Sequence, residues 1–344
     1  MAYQNVKTPR FYIDYLSYNQ SIRNVAPDEN NLKHIGLNSG GDTYTVTSDA
    51  GKVYIDTEFN NPLPLPRTDI VNGTSTKSGL FVGCLGHNAH ENGLALDWKI
   101  KDSSVGATYD TQTQIINWES PDQPILLDGF TLCKKTDLTD LIDIRKIETR
   151  FFTGEDAEAE VNLFAKTVLF GQYYNMPHSP DLSLTLTHDY SGVKTIETIG
   201  GASLSNARWS KPSKWGDREA WQLGDFPYYY SGRRIWDLSF SYISDTDIEP
   251  YSYYGNKYDS DTGGSPTVSE GDENWFQSVL FYTNGGQLPF IFNPDPSIEY
   301  LAPDDGSPPR VPEYAICKFD MNSFSRKQVA NNVYNIKVKV REIW

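Results

Sequence analysis

The strongest constraint on the fold is the strict alternation of side chains around Trp236. The large side chains of residues 235–242 are Trp236, Leu238, Phe240 and Tyr242, and mostly short or polar residues separate them. A period of two places alternate side chains on opposite faces of a β-strand, whereas a helix would distribute them around its circumference. The sequence therefore predicts a strand that buries one face.

The same period recurs in residues 11–15, 182–186 and 334–341, and Gly- or Pro-rich stretches separate these segments, for example at 200–201 and 303–309. Short strands divided by such turns are typical of sandwiches and barrels. We therefore expect an all-β chain. One helix is predicted, in which Asp272 is the cap, Trp275, Val279 and Tyr282 share a face, and residues 284–286 end the helix.

Size and charge narrow the range of functions. The 344 residues exceed the usual size of a single core, so two domains are expected. The chain has 30 basic and 45 acidic residues, a net charge of −15, which disfavours general nucleic-acid binding and attraction to an anionic membrane. Residues 1–10 have no apolar core, so no signal peptide is expected, and no run approaches the roughly 18 apolar residues of a membrane span.

The three cysteines, Cys84, Cys133 and Cys317, are far apart and form no CxxC pair. Each lies in a segment with strand character, so we expect buried thiols rather than a metal or redox motif. Motifs for a nucleophilic serine, a phosphate-binding loop or a dinucleotide are absent from the sequence, and no cofactor is expected.

Residues 25–175 resemble the galactose-binding-like jelly rolls of the discoidin type. The resemblance is carried by residues 80–88 (LFVGCLGHN), 129–132 (GFTL) and 161–170. It implies a β-sandwich that binds carbohydrate or another surface ligand through loops at one end. The prolines of residues 176–180 cannot continue a regular ladder, which places the expected domain boundary there.

Residues 176–344 resemble virion structural proteins of tailed bacteriophages, including distal-tail components. The matching stretches are 174–182, 232–240, 283–292 and 341–344. The resemblance implies a ring-building β-sandwich that bears one helix. We therefore expect two β-sandwich domains, a jelly roll at 25–175 and an assembly domain at 176–344, with residues 1–24 supplying a strand that packs on the C-terminal domain.

Two groups of residues are candidates for an interface. Aromatic side chains in turn-like segments suit contact surfaces that stay partly wet, and local positive charges in an acidic chain suit the acidic patches of neighbouring copies. The basic residues of the last strand equally suit a charged edge that blocks unwanted pairing. The candidates are Tyr228, Tyr229, Tyr230, Tyr251, Tyr253 and Tyr254, together with Arg233, Arg234, Lys337, Lys339 and Arg341.

Two short motifs are weak candidates for a metal site. His87 and His90 have chelating spacing but stand in a loop without a cluster of further ligands, so a turn that hydrogen-bonds backbone groups is the favoured interpretation. Asp259 and Asp261 alternate as in a calcium loop, but Gly263 stands where a further ligand belongs. No metal is therefore expected.

Together with these patterns, the resemblance to virion proteins implies a non-enzymatic structural protein of a phage virion, in the tail or tail tip. Its expected partners are copies of itself, other virion proteins and a host-surface glycan. Its expected location is the virion, assembled in the host cytoplasm. Two alternatives remain open: a glycan-binding adhesin, and a glycan-cleaving enzyme whose paired carboxylates the sequence does not single out.

Overall fold

The computed structural model describes residues 6–18, 44–48, 52–63, 77–89, 94–101, 113–116, 130–135, 144–152, 161–165, 167–189, 194–205, 233–248, 274–298 and 314–343. Within these ranges the chain is mostly β with a large antiparallel sheet, which confirms the predicted all-β sandwich class. The helical segments are α1 (Tyr15–Tyr18), α2 (Asp245–Ile248) and a π-helix (Phe276–Phe281). The strands are β1 (Arg10–Asp14), β2 (Tyr44–Ser48), β3 (Lys52–Leu63), β4 (Ser78–Leu85), β5 (Ala95–Lys101), β6 (Thr113–Ile116), β7 (Phe130–Lys135), β8 (Ile144–Phe152), β9 (Val161–Ala165), β10 (Thr167–Asn175), β11 (Thr185–Asp189), β12 (Thr195–Glu197), β13 (Ser203–Ser205), β14 (Arg233–Ser244), β15 (Phe290–Asn293), β16 (Ala315–Phe319), β17 (Arg326–Ala330) and β18 (Val333–Glu342).

The described strands form four sheets. The largest has ten strands in the order β11-β14-β18-β16-β15-β1-β10-β4-β7, with β17 also paired to β18. A four-stranded sheet has the order β3-β8-β5-β6, and β2–β9 and β12–β13 form two-stranded sheets. The segment predicted as one closing strand at 161–170 contributes to two of these sheets, because β9 pairs with β2 whereas β10 joins the large sheet. The prediction of one continuous strand there was wrong.

Strand β1 joins the two halves of the large sheet. One side of β1 pairs with β15, where Phe11 faces Phe292, and the other side pairs with β10, where Phe11 faces Tyr174. The large sheet therefore crosses the predicted boundary at 175/176. The division into two domains stays a prediction, as does the separate status of residues 1–24.

Close approach of β1 and β10 requires a glycine. Gly171 lies opposite Asp14, and a Cβ added at Gly171 would overlap the Ile13 carbonyl oxygen. Any larger residue would therefore push the two central strands apart, because backbone cannot yield as a flexible side chain does.

The core on one face of the sheet is aromatic. The ring of Phe11 lies 4.9 Å from that of Trp275, 5.6 Å from that of Phe290 and 5.2 Å from that of Phe292, measured between centroids. Trp236 extends the cluster, 5.1 Å from Phe292. Tilted and edge-to-face contacts of this kind add to the free energy gained from burial alone. The aromatic core therefore links β1, β14 and β15 with the π-helix.

The Trp236 strand keeps its predicted face over most of its length. Trp236, Leu238 and Phe240 are buried, but Tyr242 is 77 % exposed. The register with β18 shifts between Phe240 and Ile243, so Ile243 takes the buried position that the alternation assigned to Tyr242. Tyr242 has a φ of 62° in this β-bulge, and its amide donates to the Asn335 side chain at 3.0 Å. The prediction for Tyr242 was wrong because a bulge inserts a residue and inverts the alternation.

The predicted helix is present as a π-helix. Trp275 and Val279 are buried and Tyr282 packs against the core, as predicted. The Asn274 side chain accepts from the Gln277 amide at 2.9 Å, in the manner of a cap, and Asp272 lies outside the described residues. The helix ends where the sequence predicts, at three successive left-handed residues, Asn284, Gly285 and Gly286.

The predicted state of the cysteines is confirmed: Cys84, Cys133 and Cys317 are all buried and none forms a disulfide. Burial raises the pKa of the Cys133 thiol to about 12 and raises that of Cys84 as well. The thiols therefore stay protonated at neutral pH and behave as small apolar groups.

Candidate interaction surface

Exposed apolar side chains concentrate in one part of the described chain, residues 182–205. Ile196 and Leu204 are 67 % and 60 % exposed, and Leu182 and Ile199 are fully exposed. Scattered exposed apolar residues are ordinary on protein surfaces, whereas a group close in sequence indicates an interaction site.

Three of these residues lie on one β-hairpin, residues 194–205, which we call the arm. In the arm β12 pairs with β13, and Ile196 lies directly opposite Leu204. The turn is closed by the Gly201 amide, which donates to the Thr198 carbonyl at 2.9 Å, and by the Thr198 side chain, which accepts from the Ala202 amide at 3.0 Å. Gly201 has a φ of 80°, which confirms the turn predicted at 200–201.

The arm buries none of its own side chains: every residue from 194 to 205 is exposed. Its strands have only three residues each, and a two-stranded hairpin of this kind is at best marginally stable in water. The cross-strand pair of Ile196 and Leu204 supplies a contact of only about 0.2–1 kcal/mol. A partner that covers this pair would therefore stabilise both the arm and the complex.

Strand β11, which precedes the arm, is the last strand of the large sheet. Among the described strands it pairs only with β14, so its second edge presents backbone donors and acceptors. Thr185, Thr187 and His188 are exposed along it. An open strand edge is a template for pairing with another chain. The edge and the arm are close in the chain, and we consider them together as one candidate for binding.

The sequence prediction found only part of this surface. It assigned Leu182, Leu184 and Leu186 to one strand, but residues 182–183 form a turn and the strand begins at Thr185. The Leu184 amide donates to the Asp181 carbonyl across that turn at 3.2 Å. The arm strands were missed because three residues are too few to show a period, and the pair of glycines at 200–201 was the only signal.

Two of the basic interface candidates form ion pairs within the chain. Lys339 pairs with Asp320 at 3.1 Å, and Arg341 pairs with Asp189 at 2.6 Å. Lys337 is exposed and Arg233 is half-buried. Strand β18 lies between β14 and β16, so the expectation that its charges protect a sheet edge was wrong. The tyrosine candidates at 228–230, 251, 253 and 254 lie outside the described residues.

Arg234 is not a surface charge, which corrects its selection as an interface residue. Arg234 and Glu342 form an ion pair in which both side chains are 2 % exposed. Glu342 Oε2 accepts from the backbone amide of Arg234 at 2.9 Å and from its Nε at 3.1 Å, and Oε1 accepts from Nη2 at 2.9 Å. The guanidinium carbon also lies 4.9 Å from the centre of the Trp236 ring. The alternation already indicated that Arg234 is buried. Arg234 and Trp236 are two residues apart on the strand, so their side chains lie on the same face, which is the buried one.

Of the metal candidates, only His87 is described. Its Nε2 lies 2.8 Å from the Thr131 hydroxyl and its Nδ1 accepts from the Ala89 amide at 3.2 Å, which agrees with the turn interpretation. Burial lowers the pKa of His87 to about 3, so the ring is neutral and Nε2 carries the proton. His90, Asp259 and Asp261 lie outside the described residues. Among those that are described, no group of three or more His, Cys, Asp or Glu side chains could hold a metal.

Comparison with known proteins adds no family or fold assignment: no family model, no curated protein and no solved structure matches this chain. In the part of the chain that the structure describes, no helix is long and apolar enough to span a membrane. The arm and the β11 edge are therefore the features from which a function can be argued.

Proposed function

We propose that this chain is a non-enzymatic structural protein that assembles with further copies of itself through the arm and the β11 edge. The observation that carries the proposal is the exposed pair of Ile196 and Leu204 on a hairpin that buries no side chain of its own. Burying an Ile or Leu side chain gains roughly 1.5–3 kcal/mol. Contact with a partner would therefore gain free energy by burying the apolar side chains of the arm.

Charge favours a second copy as that partner. With a net charge of −15, two copies of the chain repel each other over most of their surfaces. The arm contains one lysine, Lys194, and one glutamate, Glu197, so its charges cancel. Two copies that meet at their arms therefore bring together surfaces that carry no net charge.

The proposed contact needs more than the arm alone. A specific interface buries about 800 Å² on each partner and involves about 20–30 residues a side. The edge of β11 and the exposed Leu182 would extend the contact along residues 182–205. Contact between different surfaces of two copies would produce a ring or a filament, depending on whether the rotation closes.

We place this assembly in the virion of a tailed bacteriophage, in the tail or tail tip. The support for this step is the resemblance of residues 174–182, 232–240 and 283–292 to virion structural proteins. A mostly β chain with only short helical segments suits such a role. Glycan binding by residues 25–175 is the competing proposal. A glycan array read together with the oligomeric state separates the two, because the competing proposal requires glycan binding by a chain that does not assemble.

The test is sedimentation equilibrium of the wild-type chain and of the double variant Ile196→Thr/Leu204→Thr. Threonine keeps a β-branched side chain or introduces one, so the hairpin keeps its strand preference while it loses apolar surface. We expect the wild type to form oligomers and the double variant to dissociate at least about tenfold more readily, since about 1.4 kcal/mol corresponds to tenfold. Val329→Thr, an exposed apolar residue on β17, is the matched control and should leave assembly unchanged.

As monomers, the double variant and the wild type should have the same thermal unfolding midpoint, because the arm buries no side chain within the chain. A wild-type chain that stays monomeric at high concentration, and is absent from purified phage particles, would contradict the proposal. Equal assembly of the wild type and the double variant would contradict the role of the arm.

A further inference from the structure

Two groups of exposed apolar side chains lie at opposite ends of strand β11. The strand runs antiparallel to β14, and its last residue, Asp189, pairs with Arg233. The arm, which begins at Lys194, follows this end of the strand. At the other end, Leu182 is fully exposed and Tyr242 is 77 % exposed. The open edge of β11 therefore lies between two surfaces that can both gain free energy by burial.

Leu182 and Tyr242 flank one hydrogen-bonded contact between the start of the β11 segment and β14. The Asp181 amide donates to the Ser239 carbonyl at 2.7 Å, and Asp181 Oδ2 accepts from the Ser241 hydroxyl at 2.8 Å. Leu182 follows Asp181 in the sequence, and Tyr242 follows Ser241. We call Leu182 and Tyr242 the receiving patch.

Tyr242 occupies its exposed position at a conformational cost. Its φ of 62° lies in the left-handed region, which is unfavourable for a residue with a Cβ. Two other described non-glycine residues have a positive φ, and both are asparagines, Asn284 and Asn332. Asparagine tolerates this conformation, because its short side chain hydrogen-bonds locally. The bulge itself therefore does not favour a tyrosine, and what a tyrosine contributes there is its exposed ring.

We propose that two copies of the chain pair antiparallel along their β11 edges, with a two-fold axis at Thr187, so that each arm covers the receiving patch of the other copy. The inference rests on the proposed assembly through the arm and the β11 edge, and it names the surface that the arm meets. Centring the contact on Thr187 gives the largest overlap of two five-residue strands, Thr185–Asp189. The ten-stranded sheet thereby continues from one copy into the other.

The lengths of the chain segments are compatible with this pairing. In the proposed register Asp189 lies opposite the partner's Thr185. The partner's Leu182 is at most about 10 Å further along, at about 3.3 Å per residue. The segment from Asp189 to Lys194 spans at most about 18 Å. The arm can therefore reach the receiving patch of the partner.

The antiparallel two-fold contact uses all of these features at once. A head-to-tail contact would bring one arm to one receiving patch and leave the β11 edges unpaired. Parallel pairing would place Asp189 beside the partner's Asp189, where like charges repel each other. The two-fold contact involves residues 182–189, 194–205 and Tyr242, and these 21 residues are within the range of about 20–30 a side for a specific interface.

The first test is oxidative cross-linking of Thr187→Cys, read on a non-reducing gel. Thr187 is exposed and the three native cysteines are buried, so an oxidant reaches the new thiol in preference. On the axis, the two Cα atoms of residue 187 lie about 4.5–5.5 Å apart, which suits a disulfide. We expect a covalent dimer. The matched control is Thr185→Cys, which is exposed on the same face of the strand, because its two copies lie about 13 Å apart and should not cross-link.

The second test is Tyr242→Asn, which separates a contact with a partner from a structural role. Asparagine suits the left-handed backbone, so the monomer should unfold at the same or a higher temperature. The dimer should dissociate about tenfold more readily in sedimentation equilibrium, because the ring is missing from the receiving patch. Phe281→Asn is the matched control: Phe281 is 52 % exposed on the π-helix, and its removal should leave assembly unchanged.

Only cross-linking of Thr187→Cys without that of Thr185→Cys agrees with the proposed axis. Cross-linking of Thr185→Cys would place the axis elsewhere or make the strands parallel, and cross-linking of neither variant, while the wild type assembles, would place the contact elsewhere. Either result overturns this inference, as does Tyr242→Asn that assembles like the wild type. A wild type that stays monomeric would instead contradict the proposed assembly itself, so the two failures are distinguishable.

Discussion

The buried ion pair between Arg234 and Glu342 allows a prediction of large magnitude. In Glu342→Gln the side chain keeps its shape but loses its charge, so the Arg234 guanidinium remains buried, 2 % exposed, without the carboxylate that balances it. Removing one partner of a buried pair costs about 3–5 kcal/mol, against a typical free energy of unfolding of about 5–15 kcal/mol. We expect a loss near 3 kcal/mol, since the amide oxygen of Gln, in the place of Oε2, still accepts two of the three hydrogen bonds.

The assay is urea unfolding followed by circular dichroism, with free energies extrapolated to water. The matched control is Asp320→Asn, which removes the carboxylate of the pair with Lys339, where the two side chains are 43 % and 36 % exposed. Exposed pairs contribute about 0–1 kcal/mol, so this control should be nearly neutral. The double variant Arg234→Met/Glu342→Leu should lose less than Glu342→Gln, because it leaves no buried charge. Equal losses in Glu342→Gln and in the control would refute this reasoning.

Two further predictions concern Gly171 in β10 and His87 in the turn that follows β4. Gly171→Ala should destabilise the fold by more than about 2 kcal/mol, because the new Cβ overlaps the Ile13 carbonyl oxygen, whereas Gly200→Ala should change the unfolding midpoint little. Thermal unfolding of the two variants compares them directly, and similar midpoints would contradict the close approach of β1 and β10. The pKa of His87, lowered by burial to about 3 against an ordinary value of 6.5, predicts that stability is complete above pH 6.5 and falls as the pH decreases towards 3, by up to about 1.4 kcal/mol per pH unit. Stability depends on pH in this way because, between pH 6.5 and 3, the His87 imidazole takes up a proton only in the unfolded chain. A His87 resonance that titrates near pH 6.5 in the folded protein would contradict this prediction.

The sequence predicts the local features of this fold and not its long-range pairing. The spacing of apolar residues and glycines determines structure over a few neighbouring residues. It therefore predicts the strand at Trp236, the helix at Trp275 and the turn at 200–201. The exposed position of Tyr242 is not predicted in this way, because the bulge that creates it depends on the facing strand β18 and on Asn335. Likewise, no pattern within residues 10–14 indicates that β1 lies between β10 and β15.

The same limit applies to the candidate sites. The two glycines mark the turn of the arm in the sequence. The arm is recognised as an interaction surface only from the exposure of its side chains, which is known only once the fold is known. Arg234 was predicted at an interface because local positive charges in an acidic chain suit the acidic patches of neighbouring copies. Its parity with Trp236, however, already assigned it to the buried face.

The central place of β1 has a consequence for how the chain reaches its fold during synthesis. Strand β1 emerges from the ribosome well before its neighbour β15, because Phe11 pairs with Phe292, which is translated 281 residues later. At about 5–20 residues per second, β1 waits roughly 15–60 s for this neighbour. Throughout that interval one side of a highly apolar strand is open to wrong partners, and closing such distant pairs makes folding slow. The large sheet is therefore completed only after β15, β16 and β18 have been made, and a nascent chain is most prone to aggregate in the period before β15 appears.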